Sequence, residues 1–473
     1  MPWAHALRLR VASLAARGAS VGARVVGHSA TSIPGLVATA LAPDAVRSRA
    51  SALDPIILVV GTNGKTTTAR LLSRIVAVAA TPPVTNASGA NLYQSIASTL
   101  VLDRGASDRG GRRPGIFEVD ELALPAVVRD LHPTAIVATN LFRDQLDRYG
   151  EVAVIVDRWR DALRAADAAT FVYCGDDPRL AMLAADSGRR TLSFGLDPAG
   201  MPPPGGATAT PSRRDDRAPT APDPVSCDRC GRPLVVDGRT IGHLGRFRCS
   251  EGHLRWRPAD LTFMTADAGF GSDVCVTLGG ERRSFRFVLG GLSFGDDAAA
   301  AIATAAALGI PVATATRALE DVTAAFGRSE RLEIGGRTVV LALTKNPASL
   351  GEASRLAERL RPAVVLLALN DAFADGRDVS WIWDAEVGPL VRSRSVIVSG
   401  SRTEDLALRL KYDAAAADGR LSAQPVHGLP DALARSLAAA APGETVLVVA
   451  TYTALLALRA ELVRLGHAAV APV

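Results

Sequence analysis

Short apolar runs, each followed by an amphipathic stretch of helix length, recur along most of the chain. Runs of this kind read as strands buried on both faces of a parallel sheet. Residues 55–60 form the first, and a helix is predicted over 69–80. Residues 115–119, 135–139 and 170–173 continue the βαβ series. Residues 197–224 interrupt it, because Pro, Gly, Ala, Thr and Arg without periodicity read as a linker. Two β segments, 274–278 and 284–289, then lead to an alanine-rich helix over 297–308 and a second helix running toward Arg328. Beyond it the alternation restarts, with strands predicted over 338–343, 363–369, 395–399 and 445–450. The pattern predicts an α/β protein with two doubly wound units.

A chain of 473 residues is too long for one ordinary core. The expected division is an N-terminal helical segment over 1–47, a central domain over 48–327 and a C-terminal α/β domain over 328–473. The central domain contains the linker and an inserted cysteine module over 225–258. Near the N-terminus, Arg8, Arg10, Arg17 and Arg24 lie on a predicted amphipathic helix. That basic face has two readings, a solvated surface or contact with an anionic membrane. No apolar stretch reaches the roughly 18 residues that would make the chain transmembrane. The N-terminus also lacks the separate charged and apolar regions of a signal peptide. The expected location is cytoplasmic, with peripheral membrane contact as its refinement. The net charge of +5 is carried by arginine almost alone, since lysine occurs only as Lys65, Lys345 and Lys411. Those arginines are spread along the chain, so the basic patch of a nucleic-acid binder is missing.

The most informative string is Gly61-Thr62-Asn63-Gly64-Lys65-Thr66-Thr67-Thr68, directly behind the first strand. A strand delivers such a loop, its glycines let backbone N–H groups approach phosphates, and Lys65 reaches the β/γ oxygens of ATP. The Thr66 or Thr67 hydroxyl is placed to hold Mg²⁺. Phe117-Glu118-Val119-Asp120-Glu121 follows a later strand, with Glu118 the best Mg²⁺ ligand because hard cations select carboxylate oxygen. Asp120 and Glu121 read equally as ligands or as solvated helix-start acids. Residues 85–91 form a further candidate nucleotide or substrate loop. Residues 139–151 form a dense polar loop at a strand end, where α/β sheets place ligands. Asn140 in that loop and Arg328 at the domain junction complete the nucleotide-binding candidates. In the second unit Lys345 ends a strand and could steady an acyl phosphate or departing phosphate. The loop after the next strand carries Asp371, Asp375, Asp378 and Asp384.

Cys227 and Cys230 make a knuckle-like pair, and Cys249 follows after eighteen intervening residues. This spacing favours a tetrahedral structural Zn²⁺ that gives a small insertion most of its folding energy. His253 is the preferred fourth ligand, Glu251 the alternative and His243 a distant third. The two remaining cysteines, Cys174 and Cys275, read as buried. Neither sits in the glycine-flanked turn of an exposed nucleophile.

Taken in order, GTNGKTTT, FEVDE, TNLFRDQLDRYGE, the cysteine knuckle, TKNPAS, LNDAFADGRDVSWIWD and ATYTALLALR resemble the MurT group of the Mur ligase family from about residue 30 to 460. The resemblance implies a Mur-ligase-like central ATPase domain with an inserted zinc ribbon, plus a C-terminal Rossmann-like α/β domain. It implies ATP-dependent amidation of the D-glutamate α-carboxyl in the lipid II stem peptide, at the inner membrane surface, through an acyl phosphate. A GatD-like glutaminase subunit is the implied source of ammonia. Asp378 is implied to complete that partner's Cys-His pair, with Asp375 and Asp384 as alternatives. The chain departs from the family at Gln145, where relatives carry histidine, and at Phe294 and Asp297, where asparagine is expected. Two rival readings are an amino-acid-adding ligase of the Mur or folylpolyglutamate type, and a zinc-containing ATPase switch that binds nucleic acid or protein.

Overall fold

The structure, a computed structural model, describes residues 2–25, 31–86, 90–103, 112–144, 152–166, 168–202, 225–268, 270–288, 290–320, 322, 328–393, 395–413 and 423–468. Three helices come first: α1 (Pro2–Val25), α2 (Ile33–Leu41) and α3 (Ala45–Ala50). The central sheet is built from β1 (Leu53–Val60), β2 (Val84–Thr85), β3 (Arg113–Glu118), β4 (Ala135–Ala138), β5 (Thr170–Cys174), β6 (Thr191–Leu196), β9 (Leu261–Ala268), β10 (Gly271–Leu278) and β11 (Glu281–Phe287). A separate two-stranded ribbon, β7 (Val235–Asp237) and β8 (Arg246–Arg248), belongs to the cysteine module.

The nine strands run in the order β11-β10-β9-β6-β5-β4-β1-β3-β2. From β2 to β9 the pairing is parallel, and β9 to β11 form an antiparallel meander. From β1 the chain winds one way through β4, β5 and β6, and the other way through β3 and β2. The reversal makes β1 the switch point, whose C-terminal end opens a crevice between the flanking connections. Ile57, Leu58, Val59 and Val60 are wholly buried, as a two-faced strand requires.

The expected β1, β3, β4 and β5 are present with boundaries shifted by a residue or two. Helix α4 (Lys65–Ala79) starts four residues earlier than predicted, because the threonines of the loop are themselves helical. The alanine-rich helix likewise starts early and spans Leu292–Ala307. Its Ala298, Ala299, Ala300, Ala301 and Ala303 are fully buried, and such small side chains let it lie close against α4. β6 and β9 were not predicted from the sequence. Of the expected linker, residues 203–224 lie outside the described part.

The second sheet has the order β12-β13-β17-β14-β15-β16. It comprises β12 (Arg328–Ile334), β13 (Arg337–Leu343), β14 (Val364–Ala368), β15 (Ser395–Ser399), β16 (Gln424–Pro425) and β17 (Thr445–Ala450). All pairs but β12 with β13 are parallel. Its four inner strands match the expected runs, whereas the edge strands β12 and β16 were not foreseen. Arg328 opens β12, and its side chain lies outside the described part. No helix of the described residues is long and apolar enough to cross a membrane.

Candidate active site between the two sheets

The phosphate loop leaves β1 at Val60 and enters α4 at Lys65. Gly61 has φ +132, and a Cβ there would lie 2.1 Å from Thr139 Oγ1. Gly64 has φ +85, and its Cβ would lie 2.0 Å from Asp297 Oδ1. Both positions therefore demand glycine on two counts, backbone conformation and space. The loop after β4 braces the turn. Thr62 N donates to Asn140 O at 2.9 Å, and Asn63 N donates to Asn140 Oδ1 at 2.9 Å. Thr139 Oγ1 donates to Asn63 O at 2.6 Å, and Phe142 N donates to Thr62 Oγ1 at 3.0 Å. Asn140 is thus placed as a support of the loop.

Thr66 Oγ1 donates to Glu118 Oε2 at 2.8 Å. Asn86 grips the backbone of Glu118 from both sides, accepting from its N–H at 2.9 Å and donating to its carbonyl at 2.8 Å. Asn91 Nδ2 reaches Glu118 Oε1 at 3.5 Å. The loop of residues 85–91 therefore positions this carboxylate, although residues 87–89 lie outside the described part. Asp120 and Glu121, which read equally as solvated acids, are 2% and 3% exposed, so the solvated alternative is overturned. Glu121 Oε1 accepts from Lys65 Nζ at 2.7 Å, and Lys65 also turns onto the carbonyl of Gly61. Burial opposes the Lys65 charge, but Glu121, Glu118 and Asp144 together hold its ammonium above the ordinary lysine value.

From the second sheet, Lys345 at the end of β13 donates to Asp144 Oδ2 at 2.6 Å. Its neighbour Asn346 caps the helix Pro347–Leu360 through Ser349 N and pairs with Asn63 of the phosphate loop, Asn346 Nδ2 to Asn63 Oδ1 at 3.1 Å. Two lysines from two sheets, each on a buried carboxylate, thus meet across one cleft. Glu121 Oε2 and Asp144 Oδ1 are buried with no hydrogen-bond partner. The Thr66 hydroxyl and the Glu118 carboxylate, in contact at 2.8 Å, are oxygen donors of the kind that a hard cation such as Mg²⁺ selects. Gln145 lies outside the described residues. Beside the phosphate end, a cavity of about 230 Å³ is lined by Thr66, Arg70, Ser73, Thr85, Asn86 and Glu118. Thr66, Arg70 and Ser73 fall on one face of α4 by their spacing. Sequence reading missed Arg70; its i+4 relation to Thr66 was the available signal.

In the cysteine module the ligand atoms of Cys227, Cys230, Cys249 and His253 all lie within 4.8 Å of one another. Cys230 Sγ and Cys249 Sγ are 3.6 Å apart, and His253 Nδ1 is 3.9 Å from Cys227 Sγ and 3.7 Å from Cys249 Sγ. A tetrahedron with Zn–S bonds of about 2.3 Å has edges of about 3.8 Å, so this Cys₃His set is compatible with zinc. Glu251 is instead ion-paired with Arg232 at 3.0 Å. His243 is far from the thiols in role: it is 1% exposed, 3.2 Å from Asp177 and packed edge-on against Phe142. Phe247 is buried, and Trp256 turns inward, donating from Nε1 to Asp176 Oδ1 at 2.8 Å. The module is thereby clamped on the sheet behind the phosphate loop. Burial pushes the Asp176 carboxyl up to about 7, despite donation from Leu196 N and the Trp256 indole.

Asp378 stands exposed on the loop after β14, accepting from Ser380 N at 2.8 Å. The Ser380 hydroxyl and backbone hold its carboxyl below the ordinary value, with a smaller contribution from Arg143. Asp375 is 4% exposed and fully used by Thr453, while Asp384 lies 3.6 Å from Arg143. Phe373 and Trp383 on the same loop are 80% and 48% exposed. Cys174 is buried against Asp296 at 3.9 Å, its thiol pushed well up first by burial and then by that carboxylate. Cys275, expected to be buried, is only partly so, and it accepts from Arg282 Nε at 2.9 Å because β10 turns that side toward a solvent-facing arginine on β11.

Residues 59–201 match the Mur ligase middle domain, and residues 343–455 match the MurT ligase C-terminal region. The chain is 28% identical over 399 residues to "Lipid II isoglutaminyl synthase (glutamine-hydrolyzing) subunit MurT" of Staphylococcus aureus (strain N315), covering 84% of this chain and 86% of that one. It is 28% identical over 419 residues to the subunit of the same description from Streptococcus pneumoniae (strain ATCC BAA-255 / R6), covering 86% and 87%. Among solved structures, MurF from Acinetobacter baumannii superposes with a TM-score of 0.64 at 14% identity, over 91% of this chain and 80% of that one. A pseudomurein peptide ligase type C from Methanothermus fervidus gives 0.62 at 16% identity, over 87% and 79%. These two likenesses speak to the fold alone. With an ATP loop at the switch point of the first sheet and matching regions in both sheets, the chain belongs to the Mur ligase family, in its MurT branch.

Proposed function

We propose that the chain is a ligase subunit that amidates the α-carboxyl of D-glutamate in the stem peptide of lipid II, using ATP and ammonia released from glutamine by a partner glutaminase. The observation that carries this reading is the meeting of Lys65 and Lys345 across the cleft. One cation stands where phosphates are gripped, and the other is supplied by the second sheet. A carboxylate resists ammonia because its carbon is electron-rich and oxide leaves poorly. Phosphorylation removes both obstacles.

In the first step a substrate carboxylate oxygen attacks the γ-phosphorus, the bond to the bridging oxygen breaks, and ADP leaves. Lys65 exchanges Glu121 for phosphate oxygens, and loop N–H groups hold the same charge. Thr66 and Glu118 would hold Mg²⁺, which would supply charge neutralisation to the nucleotide phosphates. In the second step the ammonia lone pair attacks the acyl carbon, phosphate departs, and a proton is lost. Lys345, released from Asp144, steadies the departing anion. The hydrogen bonds between Asn63 and Asn346 keep the two sheets closed over the acyl phosphate, which water would otherwise hydrolyse. The groove of Arg70 and Ser73 receives the peptide beside the reacting carboxyl. Asp378, exposed between Phe373 and Trp383, orients the imidazole of the partner's Cys-His pair. Zinc in the Cys₃His cluster is structural.

The test is a mass measurement on lipid II incubated with this chain, ATP, magnesium and ammonium. Acid-to-amide conversion is the expected result. Ligation of a free amino acid in place of amidation would instead favour an amino-acid-adding enzyme.

A further inference from the structure

The helix α1 carries an apolar stripe that the fold does not use. Trp3, Leu7, Val11, Leu14 and Val21 are 68%, 54%, 49%, 65% and 62% exposed. At about 100° per residue these positions fall within an arc of about 80°. The opposite face is the one that packs: Ala12 and Ala16 are fully buried with Ala38 and Ala42. Leu9 packs beside them, so the stripe is not the core face of α1. Arg10 and Arg17 border it on one flank by the same angular count, and Arg10 is exposed. No Asp or Glu occurs before Asp44, and Asp44 is already paired with Arg8 at 2.8 Å and His5 at 3.2 Å. An exposed apolar stripe flanked by arginines, in a segment without acids, is complementary to a surface with anionic headgroups over acyl chains.

We propose that α1 lies in the plane of an anionic lipid bilayer, its Trp3-Leu7-Leu14-Val21 stripe sunk at the acyl boundary and Arg10 and Arg17 at the headgroups. The proposal rests on the lipid-linked substrate of the preceding section, since it gives the enzyme a foothold on the surface where that substrate resides. Its length of 24 residues in one helix, with arginines along it, suits lying on a membrane and not crossing one.

The experiment is vesicle flotation of the full chain, using phosphatidylcholine vesicles with and without phosphatidylglycerol. The chain floats with the phosphatidylglycerol vesicles and far less with the neutral ones, and added salt weakens binding. The double variant Leu7→Glu/Leu14→Glu loses about tenfold or more in partitioning, and Arg10→Glu loses several-fold. Both retain the wild-type circular dichroism and melting temperature, because the substituted side chains face solvent. Wild-type flotation by the double variant, or no flotation of the wild type, overturns the proposal. So does loss of self-association or of glutaminase binding in the double variant with no vesicle binding to lose, which assigns the stripe to a protein partner. Amidation of detergent-solubilised lipid II is read in parallel and stays at wild-type level in every variant. Absence of amidation in the wild type would sink the functional reading while leaving the flotation result standing.

Discussion

In the nine-stranded domain Lys65, Glu118, Glu121 and Asp144 lie buried at the switch point, each carboxylate within reach of a lysine or hydroxyl. In the six-stranded domain Asp378 stands exposed on a loop between two exposed aromatics, held by Ser380. Two lysines, Lys65 and Lys345, each hold one of these carboxylates, so the set that the proposed chemistry uses is also part of the packing: removing Lys65 leaves Glu121 buried and alone. The exposed aspartate owes little to the fold, and on the function proposed above it is the residue offered to a second protein. On that reading the same α/β architecture offers two kinds of site, one sealed within the chain and one open to a partner.

That contrast can be broken most sharply at Lys65. Lys65→Ala should reduce amidation by at least about 10³-fold with ammonium and with glutamine alike. It should also cost about 3 kcal/mol of stability in denaturant titration, because Glu121 is left unpaired. Asp378→Asn should lower the glutamine-dependent rate by about 10²-fold or more while leaving the ammonium-dependent rate and the melting temperature unchanged. Equal loss in both assays would move Asp378 into the sealed site and erase the distinction. Arg70→Ala should raise KM for the lipid substrate by about tenfold with little change in kcat, as expected when a positioning charge is removed. A kcat loss at constant KM would place Arg70 in the chemistry instead.

Two smaller effects probe what supports the sealed site. Chelation of zinc, or Cys249→Ser, should lower the melting temperature and expose the Trp256 indole to fluorescence quenchers, since the module is clamped to the sheet through that ring. Unchanged melting after complete metal removal would refute a structural zinc. Asp176 supplies a pH signature. The unfolded chain releases this proton near the ordinary carboxyl value, whereas the folded protein keeps it up to about 7. The folded state therefore binds more protons in that window, and stability should fall as pH rises from about 4 to 7 and level off above. Asp176→Asn should flatten the slope; an identical slope in the variant would discharge Asp176 from the role.

How much of this was legible in the sequence depended on distance along the chain. β15 and β17 follow from unbroken apolar runs, and the phosphate loop from its glycines and lysine, because each is decided locally. β12 escaped because its alternating charged residues suit an antiparallel edge, and β6 because a glycine and a serine dilute its apolar pattern. The grouping of three cysteines was visible in spacing, and so was the preference for His253 over Glu251, which the structure bears out by placing His253 among the thiols and Glu251 on Arg232. The pairings Lys65–Glu121 and Lys345–Asp144 span 56 and 201 residues of chain, and no local pattern announces them. Asp120 and Glu121 read equally as ligands or as helix-start acids for the same reason. Their burial is a property of the assembled sheet.

The most direct test of the central claim follows an oxygen atom. If the carboxylate is primed as an acyl phosphate, lipid II labelled with heavy oxygen in the glutamate α-carboxyl should pass one labelled oxygen into the inorganic phosphate released during amidation, and mass analysis of that phosphate should find it. Phosphate carrying no label, formed in step with amide, would contradict the account.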